Sequence, residues 1–203
     1  MINSLNNLKF YRNLSHLKAD SKSTLDISSW SGAVLVLIVE DFIVFIKRSE
    51  SMPSHKGQIG FFGGHKKPDE VDPVDCALRE FEEESNIKKG KVSVIGTLEP
   101  VQTSNKSLII PILGELMDSK RFFLDRVKSN GEWDDLILCN MKSLSVEKSW
   151  KYSIFHFDSP VKVRFFSLND RNSLSKKNKN DRFNYVLWGA TGKMVSNLFQ
   201  IHT

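Results

Sequence analysis

Two continuous hydrophobic runs near the start of the chain predict its first strands. Residues 33–39 read AVLVLIV and residues 42–46 read FIVFI, with Glu40 and Asp41 between them. Runs this short, rich in β-branched residues and free of charge, are typical of buried strands. The polar pair between them predicts a tight turn, so the two strands form a hairpin.

Further hydrophobic runs predict five more strands, at residues 57–62, 92–98, 108–113, 152–157 and 161–166. The first of these enters a turn at Gly63 and Gly64, where glycine lets the backbone approach a ligand closely. Pro111 predicts that its strand lies at a sheet edge or carries a bulge. Residues 169–181 are polar and rich in lysine, and we expect an exposed loop there.

A helix is predicted shortly after the two glycines, beginning near residue 73. Asp72 is a suitable cap, Pro73 suits the first helical position, and Asp75 places a negative charge in the first turn. Asn86 can end the helix because it tolerates the left-handed conformation. Apolar residues recur at helical spacing, namely Val74, Ala77, Leu78 and Phe81. One face of this helix therefore packs against a core.

A second stripe of the same helix carries three carboxylates. At about 100° per residue, Glu80, Glu83 and Glu84 fall on one side of the helix. Like charges at this spacing destabilise a helix by about 0.2–0.5 kcal/mol per pair. Carboxylate oxygens are also the ligands that hard cations such as Mg²⁺ prefer. The stripe is either a solvated acidic face or a cation site, and the glycines before it favour the cation.

The composition is that of one ordinary globular domain with a short extra segment. The chain has 203 residues, 40% of them hydrophobic and 26% charged, which is enough for one core. We expect the domain at residues 31–203 and a separate N-terminal segment at residues 1–30. In that segment Leu5, Leu8, Tyr11, Leu14 and Leu17 fit an amphipathic helix or an arm that packs on a partner subunit. A homodimer is therefore one expectation.

Charge and cysteine content limit the location and the partners. The longest apolar run is too short to span a membrane, and the first residues lack the apolar core of a secretory signal. The two cysteines, Cys76 and Cys139, imply no disulfide framework, so we expect a cytoplasmic protein without membrane partners. The net charge of +5 suits an anionic substrate without demanding nucleic acid.

The stretch from Gly64 to Ile87 resembles the Nudix box, G-x5-E-x7-R-E-U-x-E-E-x-G-U, where U is an apolar residue. The matching residues are Gly64, Glu70, Arg79, Glu80, Phe81, Glu83, Glu84 and Ile87. Eight residues rather than seven separate Glu70 from Arg79, and Asn86 stands in place of the last glycine. The extra residue falls in the loop before the helix. We expect Glu70 to pair with Arg79 or to cap that loop.

This resemblance implies an α/β protein with the Nudix fold, an α/β/α sandwich in which helices flank a central mixed β-sheet. It implies hydrolysis of a small-molecule nucleoside diphosphate derivative, with Mg²⁺ or Mn²⁺ as cofactor. The implied metal ligands are the carboxylates of Glu80, Glu83 and Glu84 and the carbonyl of Gly64. Glu80 and Glu84 are the strongest of these ligand candidates. Glu83 and Glu80 are the implied catalytic carboxylates, and Glu83 is either a metal ligand or, instead, the general base. Arg79, also assigned to the catalytic set, would hold these carboxylates by charge-assisted hydrogen bonds.

The residues upstream of the box resemble a motif of the coenzyme A pyrophosphatases within this family. The matching residues are Arg48, Ser49, Gly57, Phe61, Gly63 and Gly64. His55, Gln58 and Ile59 also resemble residues that the subfamily usually has at these positions. Pro53 and Phe62 depart from it, standing where the motif has an arginine and a proline. The resemblance implies that Arg48, Gly63 and Gly64 bind substrate, and that this substrate is coenzyme A or an acyl derivative.

Other functions remain open at this point. ADP-ribose, nucleotide sugars and the nucleotide cap of RNA all need the same chemistry, and capped RNA is the one nucleic acid substrate considered. A non-catalytic ligand sensor is a further alternative. Such modules usually lose box carboxylates, whereas all three are present here.

Residues outside the box give weaker signals. Glu115 follows a predicted strand and is either a solvated strand end or a further ligand or base. Glu132 lies in an acidic loop that resembles one in other Nudix proteins and is a candidate for positioning water. The tail at residues 185–194 resembles the closing helix of the subfamily, and we expect Trp188 to lie in the core. A shared apolar face is predicted for Leu187, Ala190, Met194, Leu198 and Ile201.

Overall fold

The computed structural model describes residues 29–156, 160–177 and 182–201. The N-terminal arm expected at residues 1–30 lies outside these ranges, except for Ser29 and Trp30. Trp30 is buried and packs in the core.

The described ranges contain two sheets and four helices. The strands are β1 (Gly32–Val39), β2 (Phe42–Arg48), β3 (Ile59–Gly60), β4 (Phe62–His65), β5 (Val92–Thr97), β6 (Val101–Gln102), β7 (Leu108–Leu116), β8 (Trp133–Asn140), β9 (Lys151–His156), β10 (Pro160–Asn169), β11 (Ser173–Ser175) and β12 (Asn184–Leu187). The helices are α1 (Pro73–Ser85), α2 (Lys120–Arg126), α3 (Met141–Leu144) and α4 (Gly189–Leu198), with 3₁₀ turns at Lys89–Lys91 and Glu147–Ser149. None of these helices combines the length and apolar composition needed to cross a membrane.

The main sheet follows the order β11-β8-β2-β1-β7-β5. Strands β1 and β7 run parallel, from the pair Gly32 and Ile109 to the pair Ile38 and Glu115. The other neighbours are antiparallel, including the predicted hairpin of β1 and β2. Strand β4 pairs with the first half of β1, β3 pairs with β2, and β6 pairs with β7. The sheet is therefore mixed, as expected.

Side chains of the central strands alternate between the two faces of the main sheet. Leu35 of β1 packs in a buried cluster with Phe81 of α1 and Phe123 of α2. Its neighbour Val36 packs on the opposite face, in a cluster that includes Met194 of α4. Helices therefore cover both faces, which confirms the α/β/α sandwich.

The second sheet has the order β12-β10-β9 and extends the cluster beneath α4. Phe166 and Leu168 of β10 are buried there, together with Leu187 of β12. The predicted strands at residues 152–157 and 161–166 are confirmed as β9 and β10 where the structure describes them. Residues 157–159 and 178–181 lie outside the described ranges.

The predicted turn at Gly63 and Gly64 is wrong. Both residues lie inside β4, where they pair with Val34 and Ala33 of β1. A Cβ at Gly63 would lie 2.5 Å from the Ala33 carbonyl oxygen, and the φ of Gly63 is +153°. Glycine is thus required by the close approach of two strands and not by a change in chain direction.

Of the two alternatives predicted for Pro111, the edge position is wrong, and the bulge lies not at Pro111 but in its neighbour β5, where the register shifts between Val94 and Gly96. Pro111 lies in β7, between β1 and β5 in the sheet. Its carbonyl accepts a hydrogen bond from the N–H of Leu98, one residue beyond the end of β5. In a strand, the N–H and the carbonyl of one residue point to the same side. The position where Pro111 lacks an N–H therefore faces the gap between β5 and β6. An interior strand therefore tolerates proline at this position.

Two predictions for the C-terminal part also need correction. Trp188 is 45% exposed and does not lie in the core. It precedes α4 in an extended conformation, with φ −154° and ψ −173°, so it lies outside the apolar face of that helix. The expected loop at residues 169–181 contains strand β11, which pairs with β8 at the edge of the main sheet.

Candidate functional site

Helix α1 begins and ends where its sequence predicts. The Asp72 side chain accepts a hydrogen bond from the Val74 N–H at 2.8 Å, and Pro73 lies in the first turn. Asn86 ends the helix in the left-handed conformation, with φ 59°. Phe81 on the apolar stripe is fully buried. This packing turns the carboxylate stripe of α1 toward strand β4.

Glu84 is the most deeply buried of the three carboxylates, with 1% of its surface exposed. Its Oε2 accepts a hydrogen bond from the Gly63 N–H at 3.0 Å, whereas its buried Oε1 has no hydrogen-bond partner among the described residues. The indole Nε1 of Trp133 donates to the Glu84 carbonyl at 2.9 Å and anchors this turn of the helix. A buried oxygen without a partner is costly, so its presence indicates an atom kept for a ligand.

The surroundings of Glu84 oppose its ionisation. Burial raises the pKa of the Glu84 carboxyl to about 8, and the charges of Glu132 and Glu80 act in the same direction. The hydrogen bond from Gly63 and the guanidinium of Arg48 lower the same pKa. Glu132, the candidate for positioning water, and Arg48, the candidate for binding substrate, therefore lie within electrostatic reach of Glu84.

Arg79 connects the carboxylates of the loop and the helix. Its Nε donates to Glu70 Oε1 at 2.6 Å and its Nη2 to Glu70 Oε2 at 3.2 Å. Its Nη1 donates to Glu80 Oε1 at 2.8 Å and to Glu83 Oε2 at 2.9 Å. Glu70 also accepts from the Lys67 N–H at 2.8 Å, so it plays both of the roles expected of it. The hydrogen bond from Arg79 lowers the pKa of Glu70 to about 2.

Gly64 leaves room for the Glu80 carboxylate. A Cβ at Gly64 would lie 2.4 Å from Glu80 Oε1, so a larger residue would displace that carboxylate. The carbonyl oxygen of Gly64, a predicted metal ligand, accepts a weak hydrogen bond from Cys76 Sγ at 3.9 Å and lies beside Gly32. Glycine thus lets the backbone of β4 approach the carboxylate stripe, while its carbonyl faces Cys76.

Arg48 ends β2 at the rim of this site. Its Nε is buried and has no hydrogen-bond partner in the part of the chain that the structure describes. Its backbone N–H donates to the Gln58 carbonyl at 2.9 Å, and its carbonyl accepts from the Gly57 N–H at 3.2 Å. The following residue, Ser49, donates its N–H to the Glu132 carbonyl at 2.8 Å. These backbone bonds bring the loop at residues 49–57 and the acidic loop together around Arg48.

Glu115, the further candidate ligand, does not join this site. It lies inside β7, which runs from Leu108 to Leu116. The adjacent residue Leu116 packs in the cluster beneath α1. Since side chains alternate along a strand, Glu115 lies on the opposite face of the sheet.

The described ranges hold no group of three or more His, Cys, Asp or Glu side chains arranged to bind a metal ion. Arg79 engages Glu80 and Glu83, so two of the three expected carboxylates are paired with a guanidinium. The donor chemistry nevertheless fits a hard cation. Glu84 offers an unpartnered buried oxygen, and oxygen ligands are those that Mg²⁺ and Mn²⁺ prefer.

Two contributors to the site carry little signal in the sequence. Lys67 donates its Nζ to Glu83 Oε1 at 3.3 Å, although only its charge and its place in the loop hint at this role. Trp133 anchors Glu84 from 49 residues away along the chain. A contact over that distance requires knowledge of which strands are neighbours.

Comparison with known proteins finds Nudix relatives. A family model described as the NUDIX domain matches residues 30–143. The uncharacterized Nudix hydrolase NudL of Yersinia enterocolitica is 33% identical over 109 residues, covering 52% of this chain and 56% of the relative. Nudix hydrolase 15, mitochondrial, of Arabidopsis thaliana is 29% identical over 163 residues, covering 75% of this chain and 50% of the relative. The chain therefore spans about half the length of these curated relatives.

Solved structures with similar architecture include an Ap4A hydrolase of C. elegans and the Nudix hydrolase RenU of M. smegmatis. The first aligns with a TM-score of 0.45 at 21% identity, over 55% of this chain and 80% of that chain. The second aligns with a TM-score of 0.46 at 14% identity, over 57% of this chain and 73% of that chain.

Proposed function

Since this chain belongs to the Nudix domain family, we propose that it is a metal-dependent hydrolase of nucleoside diphosphate derivatives. The environment of Glu84 is the observation that carries this proposal. Its Oε1 is buried and unpartnered, and the guanidinium of Arg48 lies within electrostatic reach. A site that combines a spare carboxylate oxygen with a nearby guanidinium suits a hard cation and the anionic diphosphate that accompanies it.

In this proposal the carboxylates of Glu80 and Glu84 and the carbonyl of Gly64 would hold Mg²⁺ or Mn²⁺, and Glu83 would serve either as a further ligand or, instead, as the general base. When bound there, the metal neutralises the diphosphate and activates the attacking water. The chain itself holds the carboxylates in place, because the Gly63 N–H fixes Glu84 and the guanidinium of Arg79 fixes Glu80 and Glu83. Such support keeps ligands near their working geometry.

Glu83 is the candidate general base in this proposal. Its side chain is 49% exposed, so water reaches it directly. Arg79 holds Oε2 at 2.9 Å and Lys67 holds Oε1 at 3.3 Å. Lys67 lies in the loop before α1. When its Nζ moves away from Glu83, Oε1 is free to accept a proton from water while Arg79 keeps the carboxylate oriented.

We propose coenzyme A or an acyl derivative as the substrate, cleaved to 3′,5′-ADP and 4′-phosphopantetheine. Arg48 supports this choice, because its buried Nε has no hydrogen-bond partner and a guanidinium suits a phosphate. The loop at residues 49–57, which carries much of the upstream motif, closes onto the backbone of Arg48. The same loop holds Pro53 where the motif has a second arginine, so Arg48 bears the phosphate contact alone in this proposal.

A hydrolysis screen tests both levels of the proposal. Coenzyme A, ADP-ribose, a nucleotide sugar and a capped oligonucleotide are each incubated with Mg²⁺, and the products are resolved by anion-exchange chromatography. Preference for coenzyme A supports the full proposal. Preference for another diphosphate overturns the substrate and leaves the hydrolase. Tight binding of one compound without any product overturns the hydrolase in favour of a ligand sensor.

The variant Arg48→Gln separates substrate binding from chemistry. Loss of a phosphate contact should raise KM about tenfold and leave kcat within about threefold. Lys47→Gln is the matched control, because Lys47 neighbours Arg48 on β2 and pairs with the exposed Glu50 at 3.2 Å. Equal changes in KM from both variants would contradict the role of Arg48.

A further inference from the structure

A groove of about 820 Å³ lies at the far end of the main sheet from Glu84, with walls formed by α3, the Glu147–Ser149 turn, β10 and the residues before β12. Strand β8 connects the two places. Trp133 at its start contacts Glu84, and Asn140 at its end caps α3. At about 3.3 Å per strand residue, the groove lies roughly 20 Å from Glu84.

The groove is strongly basic. Lys142, Lys151, Arg171 and Arg182 line it, and among the lining residues that the structure describes Asp170 is the one acidic residue. The four cations come from four separate parts of the chain. Within the described ranges none of them forms a salt bridge. Like charges gathered in this way repel one another, and a bound anion offsets that repulsion.

The walls of the groove are held by hydrogen bonds that do not use the cationic groups. The Asn172 side chain accepts a hydrogen bond from the Asn169 N–H at 3.0 Å, which fixes the turn that carries Arg171. The Asn140 N–H donates to the Asn172 carbonyl at 3.0 Å, and the Asn140 side chain accepts from the Lys142 N–H at 3.0 Å. The backbone that carries Lys142 and the turn that carries Arg171 are therefore linked through Asn140, which holds the two walls of the groove in a fixed relation.

The base of the groove is aromatic and equally fixed. Phe166 is buried and packs on Trp150, with 5.2 Å between the ring centroids. The indole Nε1 of Trp150 donates to the Leu144 carbonyl at 2.8 Å, which fastens α3 to this base. Phe183 is partly exposed in the same lining. The groove thus combines an apolar base with a charged rim.

We propose that this groove binds a phosphate-bearing ligand of nucleotide size, at a site separate from the hydrolytic centre. Arg171 and Arg182 offer guanidinium forks and Lys142 and Lys151 offer point charges, a combination that suits phosphate oxygens. The volume is within the range of pockets for small ligands, and Phe183 offers a ring on which a base can stack. A free nucleotide and the backbone of a short single strand both supply this chemistry. The proposal holds whether or not the other site is a hydrolase.

Binding of two probes to the full chain tests the proposal. A fluorescein-labelled single-stranded ten-nucleotide DNA is titrated by fluorescence anisotropy, and inorganic triphosphate is used as a competitor. EDTA is present throughout, so that metal-dependent hydrolysis does not consume the probe. The test variant is Lys142→Gln/Arg171→Gln, and the wild type is titrated at several salt concentrations.

The matched control is Arg121→Gln/Lys128→Gln. It also removes one arginine and one lysine, from exposed positions at and beyond α2, which packs on the opposite face of the main sheet. We expect the test variant to weaken strand binding at least tenfold and the control to change it less than twofold. The slope of log affinity against log salt should fall by about 1.4 in the test variant, because each phosphate contact on a single strand contributes about 0.7.

Competition by inorganic triphosphate shows whether the phosphate-bearing ligand is a small free molecule or a nucleic acid strand. Displacement of the strand by micromolar triphosphate supports a small free ligand, and displacement only at millimolar concentration supports a strand. An octaglutamate peptide that displaces the strand as well as triphosphate does would overturn phosphate as the ligand chemistry. Equal weakening in the control, or no wild-type binding of either probe, would overturn the site. Lys151→Gln/Arg182→Gln supplies the same test if the first variant has a lowered unfolding midpoint.

Discussion

Glu84 and Asp135 are equally buried carboxylates, each with 1% of its surface exposed. Their hydrogen-bond partners differ. Asp135 accepts four hydrogen bonds at 2.6–3.1 Å, from the N–H groups of Leu136 and Lys177 and the hydroxyls of Ser175 and Tyr185. Glu84 accepts one from the Gly63 N–H and retains a buried oxygen without a partner. The chain thus satisfies one carboxylate fully and leaves the other incomplete.

The difference separates a structural carboxylate from a functional one. Burial of either group costs solvation, and hydrogen bonds to Asp135 recover that cost within the fold. Those bonds fasten β8 to β11 and β12. The solvation lost at Glu84 is recovered only when something from outside the chain reaches Oε1. A bound cation with its anionic substrate is the partner that the neighbouring groups favour.

The largest effect is expected from Glu84→Gln. The amide keeps an acceptor for the Gly63 N–H but cannot ionise to bind a cation, so metal-dependent turnover should fall about a thousandfold or more while the unfolding midpoint stays the same or rises. Steady-state kinetics and thermal unfolding of the metal-free protein measure the two quantities. A loss of stability that matches the loss of turnover would make Glu84 structural, like Asp135.

The converse is expected from Asp135→Asn. The substitution replaces one carboxylate oxygen, which accepts hydrogen bonds, with an amide NH₂, which is itself a donor and would face the same donor groups. The free energy of unfolding should therefore fall by about 2–4 kcal/mol. Chemical denaturation measures this change, and turnover per folded molecule should remain within about threefold of wild type. Asp134→Asn, one residue earlier on β8, is the control and should cost less than about 1 kcal/mol. A stable Asp135→Asn variant would remove the contrast between the two carboxylates.

The parts of the site built from local contacts could be predicted from the sequence. The cap at Asp72 and the end at Asn86 follow from residue types at short spacing, and the pairing of Glu70 with Arg79 is one of the two roles that the resemblance to the Nudix box suggests. Trp188 shows the limit of the same reasoning. Its large apolar side chain in the closing segment predicts a core position, but it precedes α4 in an extended conformation and is exposed.

The environment of Asp135 could not be predicted in this way. Its hydroxyl partners, Ser175 and Tyr185, lie 40 and 50 residues further along the chain. Ser175 belongs to β11, a strand within a segment whose composition is typical of a loop. Only the arrangement of the strands shows that Asp135 is satisfied and Glu84 is not. The sequence therefore identifies Glu84 as a candidate ligand but does not show that its buried oxygen is left without a partner.

A smaller effect is expected from Glu70→Gln. This variant tests whether the bidentate pairing of Glu70 with Arg79 stabilises the fold. The pKa of Glu70 is lowered to about 2, so this pair contributes stability that is present above pH 4.5 and lost as the pH falls toward 2. At pH 7 the variant should lose about 1–2 kcal/mol of unfolding free energy, a value reduced by solvent screening. The difference from wild type should shrink below pH 4.5. A difference that is constant between pH 7 and pH 3 would contradict the pairing.

Titration with Mn²⁺, followed by the electron paramagnetic resonance signal of the free ion, tests the central claim most directly. If the bare oxygen of Glu84 is kept for a cation, Glu84→Gln should weaken Mn²⁺ binding at least tenfold. Asp134→Asn, which removes the same charge from β8, should change it less than twofold. Mn²⁺ binding to Glu84→Gln with wild-type affinity would contradict the account.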